Sequence, residues 1–479
     1  MLFNSLDFAL FLPLVFLLYW FVTPKNLKLQ NLLVLVSSYV FYGWWDARFL
    51  VLIAFSTCID FWVGNQLRRA HKTSHRKALL WTSIVVNIGM LGYFKYANFF
   101  IENFISAFAS FGIEMHYSSL QIILPVGISF YTFQTLSYTI DVYRKKLEPT
   151  RDFVAFAAFV SFFPQLVAGP IERATNLLPQ FYVKRTFSYD NAVLGMRQIL
   201  WGFFKKLVIA DNCAKYANII FDSSADHNGS TLVVGAVLFA FQIYGDFSGY
   251  SDIAIGTARL FGFDLKQNFA HPYFSRDIAE FWRRWHISLS TWFRDYVYIP
   301  LGGSRVGKIK TVRNVFIIFL VSGFWHGANW TFIAWGGLHA LFFVPLLLVQ
   351  KNRRYLAVVA QNSWLPSFRE AIQMGITFLL STFAWIFFRA ENIDHAFEII
   401  GIIFSEASLA APQVFPLKVI VYIALFVAME WLGRRQKFAI EDLSFLNRPL
   451  RWIFYLGLLL TIYFLGRFSQ EIEFIYFQF

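Results

Sequence analysis

The sequence predicts an all-α polytopic membrane protein, and three observations predict it. Hydrophobic residues make up 57% of the 479 and charged residues only 15%, a balance far more apolar than that of a water-soluble chain of this length. Mean hydropathy is +0.51. Apolar stretches close to the roughly 20 residues a helix needs to cross a hydrocarbon core recur from end to end. Together these exclude a soluble enzyme.

The expected spans are, in order, Leu6 to Val22, Leu29 to Trp45, Phe49 to Leu67, Ala78 to Phe94, Leu120 to Asp141, Phe153 to Val167, Ile199 to Phe221, Thr231 to Ala254, Val312 to Phe324, Thr331 to Val349, Ala371 to Phe388, Leu417 to Trp431 and Trp452 to Phe468. Several are short or interrupted, so about eleven full crossings with re-entrant pieces beside them are expected. No basic residue precedes the first run and no small-residue cleavage site follows it, so it reads as a membrane helix and not a signal peptide. Cys58 and Cys213 are the two cysteines; they form no disulfide framework or metal-ligand pattern and read as small buried hydrophobes.

The net charge of +13 lies in short segments between apolar runs, which is a topology signal and not a nucleic-acid footprint. Basic clusters follow the third run (Arg68, Arg69, Lys72, Arg76, Lys77), the fifth (Arg144, Lys145, Lys146, Arg151), Val349 (Lys351, Arg353, Arg354) and Trp431 (Arg434, Arg435, Lys437). With these loops in the cytoplasm, the N-terminus, the loop at 222 to 230 and the C-terminal tail lie outside. Parity closes if the apolar arms around His326 form a helix pair that starts and ends on the cytoplasmic side. No repeat or flexible linker divides the chain, so one membrane domain over residues 1–479 is expected.

The longest polar departure, Gly256 to Arg313, contains SRDIAEFWRRWHISLSTWFRDY at Ser275 to Tyr296. Ser275 suits an N-cap and Asp277 the positive end of a helix. Trp282, His286, Leu289 and Phe293 would then share one face, with Arg283, Arg284 and Arg294 turned away. Such a helix fits the membrane interface or the mouth of a cavity; His286 is either a satisfied polar group or a functional one. Next comes PLGGSRVGKIK at Pro300 to Lys310. Its glycines have the spacing of a phosphate loop, but Ile309 replaces the required Ser or Thr and no strand precedes it. A glycine-rich basic loop can still hold the phosphates of coenzyme A or a phosphopantetheine arm through backbone N–H groups and Arg305 or Lys308, or be a plain solvated turn.

In VSGFWHGANW, Val321 to Trp330, an ionisable His326 stands between apolar arms with Gly323 and Gly327 beside it. Burying its charge costs roughly 2.5 kcal/mol or more, so a neutral imidazole is expected, the form that accepts a proton from a hydroxyl. The alternative is a histidine bonded to a neighbouring helix. His339 lacks the glycine setting and reads as core packing. Asp246, in YGDFSGYSDIAIG, either orients a histidine or an acceptor or is paired inside the bundle. No GxSxG, HExxH or CxxC appears, which speaks against a self-contained serine hydrolase, zinc protease or redox enzyme.

Together LPVGISFYTFQTLSYTIDVYR (Leu124 to Arg144), FFPQLVAGPIER (Phe162 to Arg173), YGDFSGYSDIAIG (Tyr244 to Gly256), FWRRWHISLSTWFRDYVYIPLGG (Phe281 to Gly303) and SGFWHGANW (Ser322 to Trp330) resemble the membrane-bound O-acyltransferase (MBOAT) family, most of all its bacterial branch acting on alginate and other cell-wall polysaccharides. The motif core covers about residues 120 to 340. The resemblance implies a ring of helices around a central tunnel, with His326 at the catalytic position and His286 at the second motif position. Around them Asp246, Trp282, Arg305, Lys308, Trp325 and Asn329 are candidates for binding substrate. It implies acetyl-CoA or another acyl thioester as donor, no metal, and His326 as general base, with His286 positioning the thioester or stabilising the oxyanion. It also implies a bacterial inner-membrane location, a polysaccharide acceptor and an extracytoplasmic partner of the SGNH-hydrolase type. Two alternatives stay open: a D-alanyl transferase of the teichoic-acid type fed by a carrier protein, and a transporter or flippase using buried His and Asp as a proton relay. The absence of repeated halves argues against the latter.

Overall fold

The computed structural model describes residues 1–479 except 116–119, 121, 168, 406, 407, 409 and 469–479. The expected outside C-terminal tail, Ala168 of the stretch Phe162 to Arg173, and part of the Leu120 to Asp141 span therefore lie outside the described residues. All regular structure among the described residues is helical.

Among the described residues, six helices are long and apolar enough to cross a membrane: Ala47–Arg69, Thr73–Ala109, Gly229–Leu260, Trp330–Leu348, Phe368–Arg389 and Arg448–Leu465. The chain is a multi-pass membrane protein. The other expected spans are helical too but shorter, broken or charged at one end, such as Leu6–Val22 and Phe153–Leu166. The span expected to end at Phe94 instead continues through a wide π turn, Gly92–Tyr96, to Ala109. The helix Ile393–Ile403 was not expected, being well short of the roughly 20 residues that cross a hydrocarbon core.

No linker marks the sequence, yet the chain divides into two compact units. One comprises Met1–Ala192 with Thr257–Leu265. Its interior holds a buried carboxylate, Asp60, which accepts from Ser83 Oγ, Asn87 Nδ2 (2.8 Å) and Thr139 Oγ1 (2.7 Å). Three donors replace the water that a carboxylate loses on burial. The returning segment is tied in by Tyr19 and Trp20, which donate to the Phe261 and Leu260 carbonyls at 2.9 Å each.

The other unit comprises Val193–Gly256 with Lys266–Phe479 and contains every candidate site residue. Its longest element is the part up to Gly256 of the 32-residue helix Gly229–Leu260. Against this packs the run Tyr189–Phe203, which passes through a π segment, Phe204–Ala210, into Asp211–Asp222.

The expected helix pair around His326 is present as Lys308–His326 and Trp330–Leu348. The two helices meet at glycines: a Cβ on Gly323 would strike the Phe332 carbonyl oxygen, and one on Gly336 the Phe319 carbonyl oxygen. Close backbone approach is thus the reason for glycine here. Asn329 caps the second helix, accepting from Thr331 N at 3.0 Å, and donates to the Glu391 carbonyl at 2.7 Å.

Gly323→Ala and Gly336→Ala should each force the helices apart at a cost of about 1–3 kcal/mol, the usual range for overpacking. Thermal unfolding of the purified protein in detergent checks this, with Gly375→Ala, where a Cβ meets nothing within 4 Å, as the neutral control.

Candidate active site

The site begins with a broken helix. The sequence pattern predicts one helix from Ser275, but two short ones form, Ile278–Arg284 and Ile287–Phe293, separated at Trp285 and His286. His286 takes a left-handed conformation, φ 43° and ψ 54°, which costs a non-glycine residue about 1–3 kcal/mol and persists only where its surroundings enforce it. The N-cap is Asp277 and not Ser275: the Asp277 carboxylate accepts from Glu280 N at 2.7 Å, whereas Ser275 Oγ donates to the Pro272 carbonyl. The break still leaves His286, Leu289 and Phe293 buried.

Asn268 enforces the break. Its main-chain oxygen accepts from Ile287 N at 2.9 Å, and Ala270 N donates to the Arg284 carbonyl at 2.9 Å. Its side-chain Oδ1 lies 3.3 Å from Ser288 N, 2.8 Å from Ser288 Oγ and 3.0 Å from His286 Nδ1. Its Nδ2 donates to Ser251 Oγ of the long helix at 3.1 Å. The imidazole of His286 is held edge-on to Phe247, ring centroids 4.6 Å apart.

His326 ends its helix inside an aromatic box, with ring centroids 4.9 Å from Trp325, 5.1 Å from Trp335 and 5.5 Å from Phe388. Trp325 also lies 6.1 Å from His286, so one indole borders both imidazoles. Both are buried, His286 0% and His326 2% exposed. Aromatic packing and ring quadrupoles shape this centre.

A cavity of about 1040 Å³ opens beside it. Its wall includes Ile287, next to His286, and Ser322, one turn before His326, together with Arg283, Arg294, Lys308 and Arg353. The glycine-rich turn at its rim is clamped by Asn314, which donates to the Leu301 and Gly303 carbonyls at 3.1 Å each.

Residues 145–360 match MBOAT, the membrane-bound O-acyltransferase family. Over 446 residues the chain is 41% identical to a protein of Azotobacter vinelandii named probable alginate O-acetylase AlgI, an alignment covering 92% of this chain and 86% of the relative. The chain belongs to the membrane-bound O-acyltransferase family. Further relatives are the peptidoglycan O-acetyltransferase of Helicobacter pylori, 35% identical with 84% and 79% covered, and the teichoic acid D-alanyltransferase of Bacillus subtilis, 28% identical with 59% and 73% covered. It is therefore an acyltransferase, and its site has to serve an acyl donor.

Seen as an O-acyltransferase site, the structure gathers some of the expected residues and sets others apart. His286, His326 and Trp325 come together. Trp282 and Lys308 line the cavity, whereas Arg305 is absent from its wall and turns back through Arg305 N to the Gly302 carbonyl. Asn329 serves as a helix cap. Asp246 pairs with Lys206 at 2.6 Å, and Asp211 meets the same ammonium at 2.9 Å, so this carboxylate is paired inside the bundle. The π segment brings the neighbouring Lys205 inward too, 2.6 Å from Asp252. His339 is fully buried and accepts from Trp282 Nε1 at 3.2 Å. A lone Asn or Ser carries no periodic signal, and Asn268 follows Asp264, Lys266 and Gln267 in the sequence, so nothing local singles out Asn268 or Ser288.

Lys206→Met removes the cation shared by two buried carboxylates and should cost about 3–5 kcal/mol. Pairing it with Asp211→Asn and Asp246→Asn should recover most of the loss. Melting temperatures of the single and triple variants test the coupling.

Proposed function

We propose that this acyltransferase moves an acetyl group from a cytoplasmic acyl thioester, acetyl-CoA, through the membrane for O-acetylation of an extracytoplasmic polysaccharide. The observation that carries the reading is the pair of buried imidazoles bordering Trp325, one helical turn beyond a cavity with a cationic rim. The names and coverage of the alginate and peptidoglycan relatives support an acetyl group over D-alanine.

In this reading the donor's phosphates rest at the N-terminus of Lys308–His326, where unsatisfied backbone N–H groups and the Lys308 ammonium favour anions. Arg353 adds charge. The acyl arm runs past Ile287 and Ser322 toward the histidines. The hydroxyl oxygen of the acceptor attacks the thioester carbonyl carbon, its proton passes to His326, and the thiolate leaves once the tetrahedral adduct collapses. Neutral imidazole in an apolar box suits this base role. His286 lies beside the same reacting groups and positions the thioester or steadies charge at the carbonyl oxygen.

The basic clusters that begin at Arg68, Arg144, Lys351 and Arg434 favour a cytoplasmic side for those loops in a bacterial inner membrane, with the N-terminus outside. A separately encoded SGNH-type transferase on the outer face would complete delivery to sugar.

His326→Ala should lower acetyl ester on the cell polysaccharide by about 10²- to 10⁴-fold at unchanged membrane abundance; undiminished acetylation sinks the base assignment. Lys308→Ala with Arg353→Ala should raise KM for acetyl-CoA by about tenfold, the equivalent of 1.4 kcal/mol, with little change in kcat. Turnover of acetyl-CoA by purified proteoliposomes supplies both constants, and dependence on an aminoacylated carrier protein in place of acetyl-CoA would overturn the donor assignment.

A further inference from the structure

The side chain of Asn268 has one orientation open to it. Ser288 N is an obligate donor and faces the Asn268 side-chain oxygen at 3.3 Å; turning the amide over would set N–H against N–H. Ser251 Oγ receives from the amide nitrogen at 3.1 Å, in agreement. The atom 3.0 Å from His286 Nδ1 is therefore an oxygen, and an oxygen of a neutral amide only accepts.

We propose that Asn268 is a positioning residue that keeps the proton of His286 on Nδ1 and so presents Nε2 as a lone pair to the substrates. Nε2 is buried and has no hydrogen-bond partner among the described residues, a state that otherwise costs about 1–3 kcal/mol. An incoming O–H or N–H group meets that need. The inference rests on the acyltransfer reading above and narrows it: an oxyanion requires a donor, and this tautomer withholds one from Nε2. His286 thus receives a hydrogen bond from an amide N–H of the pantetheine arm, while His326 takes the single proton of the acceptor hydroxyl. The arrangement follows the logic by which a fixed acceptor at one imidazole nitrogen sets the function of the other.

Two variants and one spectrum test it. Asn268→Asp keeps an acceptor toward Ser288 and Nδ1 but adds a negative charge, which favours doubly protonated His286. The acid limb of its acetyl-CoA turnover should move to higher pH by about one unit. Asn268→Ala should lose about 10²-fold in kcat with a smaller change in KM for acetyl-CoA. In the unaltered protein labelled with ¹⁵N-histidine, the resonances missing from His286→Gln should be those of an Nδ1-protonated ring. A ring protonated on Nε2, or an Asn268→Asp profile superimposable on the parent's, overturns the inference while leaving the acyltransferase reading intact. Parent-level turnover in both His286→Gln and His326→Ala would instead remove the reading on which it stands.

Discussion

A single asparagine, Asn268, holds the site together. In a membrane interior no water is at hand to satisfy a broken helix, so each freed backbone group must find a partner within the protein. At His286 the break frees donors on both sides, and Asn268 takes up most of them: its main-chain oxygen serves Ile287, and its side-chain oxygen serves Ser288 N, Ser288 Oγ and the imidazole. The amide nitrogen then ties this cluster to the long helix Gly229–Leu260 through Ser251. The left-handed residue is stable because its neighbours supply the compensation that strain demands.

The same economy governs the arginines. Loop charge reads from sequence as topology, and much of it also works as mortar. Arg283 donates to the Asn352 and Tyr355 carbonyls at 2.7 Å each, Arg276 to the Ala357 carbonyl at 2.6 Å, and Arg434 to the carbonyls of Val359, Ala360 and Ser363. A planar fork of donors suits such multiple carbonyl contacts better than an ammonium does. The irregular segment after Trp330–Leu348 is thereby pinned, and the wall of the cavity with it. Of the cationic wall residues, Arg283 is committed to carbonyls and Arg294 to the Asp295 carboxylate at 2.7 Å.

Hydrophobic length made the membrane class and nearly every helix legible, because burial in lipid is written in runs of composition. The helix pair around His326 was legible for the same reason, and Gly323 marked the close approach. What stayed hidden depended on tertiary partners. Periodicity carried Trp282 to Phe293 as one helix because His286 has ordinary helical neighbours, and nothing local announces a left-handed residue that is not glycine. For Asp246 the sequence allows pairing inside the bundle without naming the partner; Lys206 lies 40 positions away in an apolar-looking run, brought inward by a π segment that hydropathy does not register. Asn268 had no signal of its own.

Two buried histidines show how far partner chemistry exceeds residue identity. The indole N–H of Trp282 can only donate, so His339 receives it on Nδ1 and its proton sits on Nε2. At His286 the facing atom only accepts, and the proton sits on Nδ1. The rings are alike in type and burial, yet they carry opposite tautomers. His339 spends its lone pair within the protein, fixing an indole that lines the cavity; His286 keeps its lone pair for what enters. A histidine therefore becomes structural or reactive according to the neighbour at its first nitrogen, and that neighbour is set by a fold that joins residues 57 and 18 positions apart.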